Sequence, residues 1–185
     1  MSILSRRPLI TAFALALSIA GSATVLAASK SELEGASKNA LNNLVATVPA
    51  AKALNAKAVA VLVFPSITKA GFGIGGQYGE GVLWRRGKAA GYYNTAGASY
   101  GLQAGAQQYG YAMFFMTEKA LKSLDATEGF EVGVGPSVVV MDSGMAKNVT
   151  TSSLTEEIYA LVFKQQGLMA GAGLQGNKIT KINPK

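Results

Sequence analysis

Between Ser31 and Val48 the apolar residues Leu33, Ala40, Leu41, Leu44 and Val48 fall on one helical stripe. Lys30, Lys38, Asn39, Asn42 and Asn43 lie largely off that stripe. Ser31 with Glu34 three residues on gives a capping-box start. Pro49 ends this helix or opens a second, Ala50 to Ala56, flanked by Lys52 and Lys57. After residue 58 the pattern changes. Val59 to Phe64 is a continuous apolar, β-branched run that stops at Pro65, which predicts a buried strand.

Glycine-rich blocks then recur at Gly71–Gly76, Gly97–Gly105, Gly129–Pro136 and Gly167–Gly176. Each adjoins a strand-like run: Val82 to Arg85, Gln108 to Met116, Ser137 to Met141 and Ile158 to Lys164. Glycine inside a strand allows close backbone approach, bulging and sharp coiling. Thr117 to Leu124 has a capping threonine, an early acid and helical apolar spacing. The expected architecture is one α+β domain. Its core is a curved, Gly-rich antiparallel β-sheet, barrel-like, with N-terminal helices and one inserted helix.

Residues 1–28 read as a signal peptide, separate from a domain over 29–185. Arg6 and Arg7 form the positive start, Pro8 to Ala20 the apolar stretch, and Ala23, Ala27 and Ala28 the small residues of a cleavage site. Ser5 to Ile10 partly matches a twin-arginine signal. Leu26-Ala27-Ala28-Ser29 has serine where a lipoprotein box carries its lipidated cysteine, so no acylation site follows. The expected location is exported, periplasmic or peripheral to the bacterial envelope. Losing two arginines with the signal lowers the net charge from +7 to +5. That charge is compatible with anionic lipid, polyanionic polysaccharide, nucleic acid or plain solubility.

The 185 residues contain no histidine and no cysteine. Ser-His and Cys-His nucleophilic systems, zinc clusters and disulfides are thereby removed. Gly71-Phe-Gly-Ile-Gly-Gly76 matches a dinucleotide-binding pattern formally, but a strand-like run follows it and residues 89–100 hold no acid. Asp125, Glu128 and Glu131, and Glu156 with Glu157, are the local carboxylate groups available to glycoside chemistry, with no surrounding substrate signature. A non-enzyme without cofactors is expected.

Trp84-Arg85-Arg86-Gly87-Lys88 reads as a hairpin tip with three cations beside the only tryptophan. Such a tip suits an anionic membrane surface, with Trp84 or nearby apolar residues dipping into the interface. It also suits a solvated turn whose tryptophan is anchored in the core. Tyr92, Tyr93, Tyr100, Tyr109 and Tyr111 read as sheet packing rather than as a base-stacking platform, and no nucleic-acid partner is expected. Asn148-Val-Thr150 is a formal glycosylation sequon without expected use in a bacterial export context.

The order of several blocks resembles the SYLF domain family over about residues 30–182. These are Ala56 to Phe64, Lys69 to Gly73, Gly79 to Leu83, Gly97 to Gln103, Gly133 to Pro136, and Tyr159 onward into Gly167–Gly176. The resemblance implies a lipid-binding, non-enzymatic module. Eukaryotic members bind phosphoinositides through basic N-terminal helical residues, and some bundle actin. By position it implies Lys38, Lys52, Lys57 and Lys69 as the corresponding cations. In an exported bacterial protein, anionic phospholipid headgroups at the envelope membrane replace phosphoinositides and actin as the expected partner. The alternative is a structural envelope β-domain that binds a protein or polysaccharide. A third reading, an eight-stranded outer-membrane barrel, is opposed by the helical start and the polar end Ile182 to Lys185.

Overall fold

The computed structural model describes residues 29–125, 129–131, 138–142, 155–167 and 177–185. The expected signal at 1–28, Glu128, Gly133 to Pro136, the Asn148 sequon and most of the last glycine block lie outside the described residues, as does the side chain of Tyr100.

Helix α1 spans Lys30–Thr47 and α2 spans Pro49–Lys57. The capping box forms two residues earlier than the sequence pattern places it. Ser29 is the N-cap: its Oγ accepts from the Glu32 backbone N–H, and its own N–H donates to the Glu32 carboxylate at 2.9 Å. Glu34 is thereby left for another role. Pro49 occupies the start of α2, where its missing N–H is no loss. The expected stripe is the buried face of α1, and Ser37 belongs to it as well.

Strand β1 runs Ala60–Arg85 and β2 runs Lys88–Phe115. They pair antiparallel as one long ribbon, with register shifts at Phe64/Ile67, Phe72/Ile74 and Leu83/Trp84. The expectation that the strand stops at Pro65 is corrected by the first shift. The proline, which cannot donate to a ladder, sits in a bulge and the strand continues.

The ribbon does not run straight. At about 3.3 Å per residue, Phe64 and Gly81 of β1 would stand about 55 Å apart. Instead a Cβ placed on Gly81 would lie 2.6 Å from the Phe64 ring and 2.7 Å from the Val63 carbonyl oxygen. A Cβ on Gly79 would meet the Ser66 carbonyl oxygen at 2.8 Å. The second half of β1 therefore lies across its first half, and glycine is the residue that permits this approach. The sheet is curled, as the glycine pattern predicts.

Helix α3 (Glu118–Ser123) follows β2, capped by Thr117. Four shorter strands complete the sheet: β3 (Phe130–Glu131), β4 (Val138–Asp142), β5 (Ile158–Gly167) and β6 (Lys178–Ile182). Strand β5 joins the C-terminal half of β2, and β6 joins its N-terminal half. The sheet is not wholly antiparallel as expected, because β4 adds to β5 in parallel. Residues 143–157 supply the dozen or more residues that a parallel connection needs.

The run from Val61 to Phe64 is apolar throughout because both faces are buried. Successive side chains point to opposite faces of a strand. Val61 and Val63 pack under α1 and α2 with Leu41, Leu44 and Leu54. Leu62 and Phe64 face the inside of the curled sheet with Tyr111, Met113, Phe115 and Ile158. Among the described residues no helix is long and apolar enough to cross a membrane.

Candidate functional site

Arg86 and Gly87 join β1 to β2 with φ of 51° and 77°. Two successive left-handed residues make the two-residue connection that matches strand twist. The expected hairpin tip is therefore present, with Arg85 paired to Lys88 across it. The tip projects beside α1, the end of α2 and the start of α3.

Between these elements lies a groove of about 370 Å³. Its floor is apolar: Leu41 and Val45 from α1, Val59 and Val61 at the start of β1, and Trp84. Its charged lining is Lys38, Arg85 and Arg86 against one carboxylate, Glu118, and Asn42 and Asn55 add neutral polar groups. Arg85 Nη2 lies 2.5 Å from Glu118 Oε1, with the two side chains 41% and 53% exposed. Ion pairs this open contribute about 0–1 kcal/mol. The Lys38 ammonium sits 4.7 Å from the centre of the Trp84 ring, within cation–π range.

Trp84 does not dip outward, which corrects one half of the tip reading. It is buried, and its Nε1 donates to Ser37 Oγ at 2.8 Å. Ser37 Oγ in turn donates to the Val63 carbonyl at 3.3 Å. The indole belongs to the junction of α1 with the sheet, and it is exposed too little to enter a lipid interface. Lys69 is also corrected. It is only 4% exposed, opposite the buried Gln107 in the ladder, so a headgroup outside cannot reach it. The curl of the ribbon turns that position inward, which no local pattern announces.

The remaining cations divide by location. Lys38, Arg85 and Arg86 meet in the groove. Lys88 is exposed at the far side of the hairpin turn. Lys52 and Lys57 are exposed on α2 and do not line the groove, although Lys52 stands one helical turn from Asn55, which does.

Glu34, Ser37 and Glu118 were not marked by the sequence pattern as site residues. Glu34 accepts from the Tyr92 hydroxyl, and the Lys30 ammonium lies 5.4 Å from the Tyr92 ring centre. Burial, followed by the Glu34 carboxylate, pushes Tyr92 up to about 12. Ser37 carried one signal: it stands four residues from both Leu33 and Leu41, in the middle of the apolar stripe.

Two of the carboxylate candidates have partners in the fold. Asp125 accepts from the Tyr93 hydroxyl at 2.8 Å and pairs with Lys181 at 3.5 Å, while Glu157 pairs with Lys119 at 3.6 Å. Tyr93, Tyr109 and Tyr111 are buried in the sheet interior, as the packing reading expects.

No curated protein matches the chain. A family model does, and it covers Glu118 while leaving Lys38, Trp84, Arg85 and Arg86 upstream of the match. Residues 96–184 match the family model described as Ysc84, Las17-binding protein actin regulator, in agreement with the SYLF resemblance of the sequence.

Proposed function

We propose that the chain is an exported, non-enzymatic domain that captures anionic phospholipid headgroups at the surface of an envelope membrane. The observation that carries this reading is the groove, where Lys38 from α1 meets Arg85 and Arg86 from the hairpin above an apolar floor. A guanidinium offers several N–H donors in a fork that matches phosphate oxygens. Lys52, Lys57 and Lys88 extend the positive field around it. Each cation near an anionic surface contributes about 1 kcal/mol, and salt screens that attraction. Trp84 serves as a rigid wall that holds Lys38 over the groove. The export part of the reading rests on the sequence of residues 1–28.

The test is co-sedimentation of the full chain with phosphatidylcholine vesicles, with and without phosphatidylglycerol, at low and high salt. Binding that needs the anionic lipid and fades with salt supports headgroup capture. Absence of binding, or binding indifferent to headgroup charge, contradicts it. The family description favours a second reading, since it names a protein as the bound partner. An envelope protein as partner predicts recovery from an envelope extract without any vesicle binding.

A further inference from the structure

We infer that Glu118 is the groove's built-in counter-anion and that a phosphate group displaces it from Arg85 on binding, so that Glu118 sets the affinity of the site. This rests on the headgroup reading and names its regulator. Glu118 is the one carboxylate among the described groove residues, and it lies on Arg85 at 2.5 Å. An incoming phosphate and this carboxylate seek the same guanidinium N–H groups.

The local structure lets the side chain leave while the backbone stays. Thr117 Oγ1 accepts from the Ala120 N–H at 3.1 Å, and Ala120 and Leu121 are buried, so the start of α3 is held without Glu118. Both partners of the pair are partly exposed. Water can therefore take over the released carboxylate. Lys119 is engaged with Glu157 instead. The displacement exchanges one ion pair for another, and no covalent step is involved.

The variants are Glu118→Gln, Arg85→Gln and the double variant, all in the full chain, with helical and near-ultraviolet circular dichroism confirming the fold. The probes are phosphatidylcholine–phosphatidylglycerol vesicles and, separately, inorganic phosphate at constant ionic strength. Glu118→Gln is expected to bind about two- to fivefold more tightly, the scale of an exposed ion pair. That gain is expected to vanish when Arg85 is Gln. A gain with vesicles alone assigns the anion to a lipid headgroup; an equal gain with inorganic phosphate assigns free phosphate, and either supports displacement. Binding by Glu118→Gln where the natural chain shows none supports it too. Natural binding that Glu118→Gln leaves unchanged or weakens overturns the inference alone, as does a gain that persists in the Arg85→Gln background. Silence of every variant overturns the headgroup reading and the inference together.

Discussion

Trp84 Nε1 donates to Ser37 Oγ at 2.8 Å, joining residues 47 positions apart at the seam between α1 and the hairpin. Ser37 is fully buried and its hydroxyl donates in turn to the Val63 carbonyl. Ser37→Ala leaves a buried indole N–H without a partner, a loss of about 1–3 kcal/mol. Urea unfolding is expected to show that drop with an unchanged slope. A stability equal to that of the natural chain would mean the indole finds another acceptor.

Two glycines are expected to respond in opposite directions. Gly35 lies inside α1, and a Cβ there meets nothing within 4 Å. Gly35→Ala is expected to stabilise the protein by about 0.5–1 kcal/mol through helix propensity. Gly81→Ala places a methyl 2.7 Å from the Val63 carbonyl oxygen, a backbone atom that cannot swing aside. A loss of about 1–3 kcal/mol is expected there. Thermal unfolding of the pair checks both signs at once.

Alkaline pH is expected to unfold the protein through its tyrosines. Burial pushes Tyr109 up to about 12, and Tyr92 also reaches about 12. Burial and the Asp125 carboxylate raise Tyr93, and burial raises Tyr111. A tyrosine raised in the folded state stays neutral there while the unfolded chain ionises near its ordinary value of about 10. This contribution to stability is complete below about 10 and is lost as pH climbs from 10 toward 12. Phenolate absorbance, followed beside circular dichroism, is expected to rise together with unfolding. Ionisation of all tyrosines near 10 with the fold intact would contradict the burial.

The parts legible in the sequence are those fixed by neighbours along the chain. The α1 stripe from Leu33 to Val48 follows from 3.6-residue spacing alone. The Arg86-Gly87 tip follows from the turn-like Trp84-Arg85-Arg86-Gly87-Lys88 at the end of the strand-like run Val82 to Arg85. The burial of Lys69 is not legible in the sequence, because it depends on how the curled ribbon closes around that position rather than on local spacing. Strand β6 was missed because five residues of weak alternation become a strand only by pairing with Tyr92–Ala96, far away in the chain. Half of the groove was legible as cations, but Glu118 was not. It reads as an ordinary first-turn acid of α3 until the hairpin is docked beside it.

The most direct measurement compares two substitutions of equal charge change, Arg86→Glu in the groove and Lys178→Glu, exposed on β6 and outside it. Each is titrated with phosphatidylcholine–phosphatidylglycerol vesicles at low salt. Headgroup capture in the groove predicts that Arg86→Glu loses most of the binding while Lys178→Glu stays close to the natural chain. Equal losses in the two variants would mean that overall positive charge, rather than this groove, holds the membrane surface.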